Sequence, residues 1–293
     1  MIDSMLEGSK PEAVEVSDLR KTYGKVIALD GVDLVVTAGT IFGLVGPNGA
    51  GKTTLIKALV GALRPTAGAV RVLGLDPLRD KWDLRRQIGY MPQSLALYED
   101  LSARDNILFF SGVHPVDDLP AKVTRILSFT ELEDRADDRV ATFSGGMKKR
   151  ISLACALVHE PRTIFLDEPT AAVDPHLRFK MWQFFRRLAG QGTTLVISTH
   201  LMDEALLCDR VAVLRRGLII ADDSPAHILE AGRARLAVHF RDRTEQLTIA
   251  ATPVALATSL LPYGLSPEVD SLVLDFDSLE DVILDIIQTR GEE

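Results

Sequence analysis

The sequence predicts an α/β core carrying an antiparallel β section and a helical insertion, followed by a small α+β appendage at the C-terminal end. Three observations predict it. Short apolar runs at 40–45, 163–166, 194–198 and 211–214 alternate with helical stretches at 53–63, 175–189 and 201–207, the pattern of a parallel sheet with crossover helices. Runs rich in β-branched residues at 14–16 and 26–36 precede that alternation and read as antiparallel strands. From about residue 231 the apolar period shifts to two, as in half-buried strands. A chain of 293 residues accommodates one large or two modest domains, which sets the expected division at 1–230 and 231–293.

In chain order, residues 1–12 read as a polar leader. The buried strand at 40–45 runs into a glycine-rich loop and then the helix at 53–63, a strand-loop-helix unit. Residues 88–91 read as a short strand. The stretch from 102 to 160 has helical periodicity with few strand signals, so a helical insertion is expected over about 95–160. In the appendage, Leu236, Val238 and Phe240 alternate, as do Leu272, Leu274 and Phe276. Its last helix is signalled by Ser278 as cap with Asp281 three residues on, and by Leu279, Val282, Ile283, Ile286 and Ile287 on one face.

Composition bounds the function. Hydrophobic residues at 46% and charged residues at 25% match ordinary folded proteins, which excludes a disordered or fibrous chain. A formal net charge of -8 argues against broad capture of nucleic-acid phosphates. Cys155 and Cys208 both lie in apolar sequence and read as reduced core residues. No run approaches the roughly 18 apolar residues that span a bilayer, and the start lacks a signal peptide's apolar stretch. A cytosolic chain, anchored only through a partner, is expected.

Gly46-Pro47-Asn48-Gly49-Ala50-Gly51-Lys52-Thr53 fits the phosphate-loop pattern G-x-x-x-x-G-K-[ST], placed between a buried strand and a helix start. Its glycines let main-chain N–H groups approach a phosphate, the helix terminus adds positive potential, and Lys52 neutralises charge on β- and γ-phosphates. Thr53 is a magnesium ligand in this reading, and Thr54 extends the phosphate-contacting set. Thr163-Ile-Phe-Leu-Asp167-Glu168-Pro169 ends an apolar strand in two carboxylates at the carboxyl edge of the sheet, where α/β ligand sites form. Asp167 is suited to hold magnesium through water, and Glu168 to polarise an attacking water, worth about 10²- to 10⁴-fold in rate. On its own an Asp-Glu-Pro is also a common solvated turn.

Phe143-Ser144-Gly145-Gly146-Met147 opens an amphipathic helix running through His159, with Ser144 placed to cap it. Lys148, Lys149 and Arg150 occupy its first turn, where the macrodipole favours acids. An anion at that end rationalises both the cations and the glycines.

Phosphate loop, Ser-Gly-Gly helix start and Asp-Glu pair, in this order, resemble the nucleotide-binding subunits of ABC transporters over roughly residues 12–230, closest in style to drug- and lipid-exporter ATPases. The resemblance implies an ABC-type P-loop NTPase fold and an ATP hydrolase. It makes 143–147 the signature loop, with Ser144, Gly145 and Gly146 touching the γ-phosphate of ATP held by a second copy. Phe143 and Met147 depart from the commoner Leu-Ser-Gly-Gly-Gln. It implies that Tyr23 stacks on adenine and that Gln93 reaches the magnesium and the attacking water. Asp174, in a loop at 171–174 that touches the partner copy, is equally a helix N-cap before Pro175. His200 is implied as the switch histidine that holds the γ-phosphate. Cofactors are then ATP and Mg²⁺. Partners are a second copy and an integral membrane permease, without nucleic acid, at the cytoplasmic face of the membrane, with export favoured over import.

The apolar residues Leu95, Leu97 and Tyr98 after Gln93 read either as a docking surface for the permease or as an anchor of the insertion to its own core. The appendage reads either as a dimer-stabilising or regulatory unit or as a passive cover. The rival function is a soluble ABC ATPase of translation or DNA repair, against which stand the single ATPase half and the lack of a heptad-patterned coiled coil. A nucleotide kinase using the same loop leaves 143–147 and His200 unexplained.

Overall fold

The computed structural model describes residues 11–112, 117–171, 173–263 and 267–289. Ten residues of the expected leader, Ala172 of the 171–174 loop and the Ile287 side chain lie outside this description.

β1 (Glu12–Tyr23) and β2 (Val26–Thr37) form an antiparallel hairpin. Along β2, Val32, Leu34 and Val36 are buried while Asp33 and Val35 face outward, the two-residue period of a sheet with one wet face. β3 (Ile41–Val45) is buried at every position, as a strand covered on both faces must be. α1 (Lys52–Leu59) stops four residues short of the helix expected over 53–63. The reason is local: Gly61 takes a left-handed φ of 70°, and the N–H groups of Ala62 and Leu63 both donate to the Lys57 carbonyl. β4 (Ala67–Val72) then returns to pair with β1, giving the sheet order β2-β1-β4.

α2 (Lys81–Arg85) leads into β5 (Ile88–Met91). The insertion holds α3 (Ala103–Ser111), α4 (Leu119–Phe129) and α5 (Gly145–Leu157). Ser102 caps α3 by accepting from the Asp105 N–H. Buried Asn106 fastens the segment before it, donating to the Tyr98 and Ser102 carbonyls and accepting from the Tyr98 N–H. Next come β6 (Thr163–Asp167), α6 (Pro175–Gly190), β7 (Thr194–Thr199), α7 (Met202–Ala205), β8 (Arg210–Arg215) and β9 (Leu218–Asp223). α7 is shorter than the 201–207 stretch because Leu201 stays extended and Leu206 already caps it. The six-stranded sheet runs β5-β6-β7-β3-β8-β9, parallel except for the edge strand β9, which pairs antiparallel with β8.

α8 (Pro225–Glu230) precedes a separate antiparallel sheet in which β10 (Arg233–Phe240) lies between β11 (Thr244–Ala250) and β12 (Val269–Phe276). α9 (Pro253–Leu260) packs beside β11, and α10 (Leu279–Thr289) closes the fold. Ser278 and Asp281 cap α10 reciprocally, the serine Oγ accepting from the Asp281 N–H and the carboxylate from the Ser278 N–H. Leu279, Val282 and Ile283 of α10 join Ile228 of α8 in the same apolar cluster as Leu166, Ile197 and the insertion helices. Cys155 and Cys208 are free thiols, and burial pushes Cys208 up to about 12.

Candidate functional site

The carboxyl ends of β3, β6 and β7 meet at one edge of the sheet, and each delivers a polar turn there. After β3 the chain wraps from Gly46 to the start of α1. Gly46 has a φ of 155°, and a Cβ on it would stand 2.3 Å from the Leu214 carbonyl oxygen. Gly51 has a φ of 114°, and its Cβ would stand 2.7 Å from the Ala28 carbonyl. Both positions therefore require glycine, and through them β8 and β2 clamp the two ends of the loop. The loop walls a cleft of about 260 Å³ lined by Ala28, Asn48, Gly49, Ala50, Gly51, Lys52, Thr53, Thr54, Gln93 and Glu168, with Val26 and Ile27 as an apolar flank.

Lys52 is buried at the floor, where its Nζ donates to the Gly46 and Pro47 carbonyls at 2.6 and 3.1 Å. Burial holds its pKa below the ordinary lysine value, opposed by attraction to Glu168 and Asp167. Its Nζ lies 3.9 Å from Glu168 Oε1, and His200 Nδ1 lies 3.6 Å from the same oxygen. The Thr53 hydroxyl is 3.5 Å from Gln93 Oε1, at the long limit of a hydrogen bond.

Glu168 is turned into the cleft by a left-handed backbone, φ 53°. Such a conformation costs a non-glycine residue about 1–3 kcal/mol and persists where its surroundings hold it. The Glu168 N–H donates to Ser198 Oγ at 3.0 Å, and its carbonyl accepts from Lys149 Nζ at 3.1 Å. Ser198 Oγ in turn donates to Asp167 Oδ1 at 2.5 Å, while Asp167 Oδ2 is buried without a partner. That orphaned oxygen, the Thr53 hydroxyl and the Gln93 amide oxygen are hard donors of the kind magnesium takes. Magnesium typically binds one or two carboxylates plus substrate phosphates. Among the described residues no group of three or more His, Cys, Asp or Glu could hold a metal alone. The donor set fits a cation that arrives with a phosphate.

One chain does not gather every residue expected of the site. Ser144 and Gly145 lie exposed at the start of α5, where Ser144 Oγ accepts from the Met147 N–H, and with Gly146 they are absent from the cleft lining. Asp174 is exposed and caps α6; its bond from the Leu177 N–H holds its carboxyl below the usual range. Tyr23 is 49% exposed at the end of β1 and is also absent from the cleft lining, with the Lys21 ammonium 4.9 Å from its ring centroid.

The three cations of α5 have partners of their own, so an anion at the helix start is not needed to account for them and rests on Ser144, Gly145 and Gly146 alone. Lys148 pairs with Glu99, Lys149 bonds main-chain carbonyls, and Arg150 donates to the Thr130 carbonyl at 3.1 Å, so each is committed to a different segment. Sequence reasoning missed Ser198 and Lys149. The signal for Ser198 was a hydroxyl directly after the apolar run Leu195–Ile197 of β7, which the register places beside Asp167.

Comparison with known proteins places the geometry. Residues 29–171 match the profile of the ABC transporter family. The chain is 39% identical to a Nod factor export ATP-binding protein I of Sinorhizobium fredii over 234 residues, 78% of this chain and 68% of that one. It is 38% identical to the daunorubicin resistance ATP-binding protein DrrA3 of Streptomyces coeruleorubidus over 267 residues, 89% of this chain and 82% of that one. A dimeric ATP-binding cassette in a post-hydrolysis state, bound to ADP and phosphate, superposes with a TM-score of 0.67 at 28% identity, covering 72% of this chain and 98% of that one.

Proposed function

The chain belongs to the ABC transporter family as an ATP-binding, ATP-hydrolysing subunit, and from that premise we propose that it hydrolyses MgATP at sites shared between two copies to power export through a separate membrane subunit. The observation that carries the shared site is its division within one chain. Lys52 and Glu168 line one cleft, with His200 Nδ1 3.6 Å from the Glu168 carboxylate, while Ser144, Gly145 and Gly146 line no part of it and present a capped helix N-terminus suited to an anion that another copy holds. Export rests on the names of the relatives.

In this reading Asn48 and the loop N–H groups, with Lys52, hold the phosphates of ATP, and Tyr23 stacks on the base from the rim. Thr53, Gln93 and Asp167 would hold magnesium, which would supply positive charge to the bound phosphates. Glu168 accepts a proton from the attacking water, and His200, beside it, orients that water and the γ-phosphate. Asp174 and its loop meet the second copy. The unit from 231 onward stabilises that pairing or regulates it.

The docking face for the membrane subunit is proposed at the segment after Gln93. Leu97 packs inward against the core, but Tyr98 is 49% and Phe109 54% exposed, their rings edge to face at 4.6 Å. Beside them a cavity of about 410 Å³ is lined by Tyr90, Pro92, Ala96, Leu97 and Phe110. Among the described residues no helix is long and apolar enough to cross a membrane, so attachment needs a partner. Purification from washed, detergent-solubilised membranes tests this. Wild type should bring down an integral membrane protein, and Tyr98→Ser with Phe109→Ser should release a chain that still hydrolyses ATP. A wild-type chain that never fractionates with membranes contradicts the proposal.

A further inference from the structure

The three cations that open α5 diverge, and only Lys149 turns toward the carboxylates. Its Nζ donates to the Glu168 carbonyl at 3.1 Å and the Ala171 carbonyl at 2.6 Å. One ammonium thus holds two main-chain oxygens, the first of them on the left-handed residue Glu168. The Glu168 peptide is gripped from two directions, its N–H by Ser198 on β7 and its C=O by Lys149 on α5. Burial lowers the Lys149 pKa, opposed by attraction to Glu168 and Asp167, so the ammonium also bears electrostatically on both carboxylates. Along the helix Lys149 lies one turn beyond Gly145, so both ride on a single rigid element.

We propose that Lys149 is a positioning residue: it aims the Glu168 carboxylate and sets the 168–171 turn. Through it, the helix that meets the partner's nucleotide fixes the base in its own subunit's cleft. The inference rests on reading Glu168 as the base. An anion seated on Ser144–Gly146 moves α5 as a body, and Lys149 transmits that displacement to the carbonyls it holds. Hydrolysis in one cleft then answers to occupancy of the other through a single side chain.

The test is steady-state hydrolysis of MgATP by the full chain, with ATP affinity measured by calorimetry. Lys149→Met keeps the length and removes the donors. Its kcat should fall about 10- to 100-fold, the loss expected from displacing a catalytic group by about 1 Å. ATP affinity should stay within about threefold, because the phosphate loop and Lys52 are untouched. Lys149→Arg, which can again donate to both carbonyls, should restore most of the kcat. Should Lys149→Met fail to fold, Lys149→Gln keeps N–H donors on a shorter, uncharged side chain and should give an intermediate kcat. An unchanged kcat in a folded Met variant, a parallel loss of affinity, or an Arg variant as slow as Met each overturns the proposal. Glu168→Gln is assayed alongside: if it retains wild-type turnover, the base assignment fails, a result distinct from failure at Lys149 alone.

Discussion

Adding one methyl group to Gly46 should cost both stability and nucleotide affinity, whereas the same change at Gly61 should cost stability alone. A Cβ on Gly46 stands 2.3 Å from the Leu214 oxygen, where real Cβ contacts rarely fall below 3.0 Å, so about 0.7 Å must be found by moving the loop away from β8. The opposing atom belongs to the backbone of an interior strand, so the loop yields rather than the strand. Gly61→Ala meets a comparable clash, 2.1 Å from the Pro77 oxygen, outside the cleft lining. Overpacking of this kind costs about 1–3 kcal/mol in each variant. A shift approaching 1 Å in phosphate-holding groups costs about 10²-fold in function, and only Gly46→Ala should show it. Urea denaturation gives the first quantity, and ATP calorimetry with kcat/KM the second. Equal losses of stability with unchanged ATP affinity and turnover in Gly46→Ala would refute the assignment of this loop to phosphate.

Lys52→Ala should weaken ATP binding by about 10- to 100-fold, the equivalent of a charge-assisted hydrogen bond worth about 1.5–3 kcal/mol. Because the Lys52 pKa is depressed, the free chain loses this charge below the ordinary lysine value of about 10.4, so wild-type affinity should decline with rising pH within that window. Stability of the free chain runs the opposite way there: the unfolded chain binds more protons, so it rises with pH. A wild-type decline that persists unchanged in Lys52→Ala would exclude Lys52 as its source. Ser198→Ala strips the buried Asp167 Oδ1 of its donor and leaves the Glu168 N–H only the Ser198 carbonyl, and should cost about 1.5–3 kcal/mol by denaturation together with a loss of kcat. Wild-type values for both would dismiss Ser198 from the site.

The core was legible where one physical signal dominated. Buried strands such as β3 and β6 are continuous apolar runs, and β5 was read with the bounds the structure gives it. β4 carries Ala67, Gly68 and Ala69, too small and flexible to show a strand period, and it exists because β1 offers it an edge. β9 was missed because every position is at most partly buried, leaving no alternation to detect. α9 escaped for the same reason, its apolar residues showing no buried stripe. In the site, motif spacing picked out the loop at 46–53 and the carboxylates Asp167 and Glu168, because each follows directly on a buried apolar run at the same sheet edge. The groups that hold Glu168 were not visible there: Lys149 and Ser198 are 19 and 30 residues away, and only the packing of α5 and β7 joins them to it.

If two copies complete each ATP site, Glu168→Gln should trap them together. Glutamine keeps the shape of the side chain and removes the base, so turnover should fall by about 10²- to 10⁴-fold while ATP still binds. Sedimentation of this variant with MgATP should show a dimer retaining two nucleotides, and a monomer with ADP. Adding Ser144→Arg should abolish the dimer and leave each monomer able to bind ATP. A Glu168→Gln chain that stays monomeric at saturating ATP, or that turns over at the wild-type rate, would contradict the shared site.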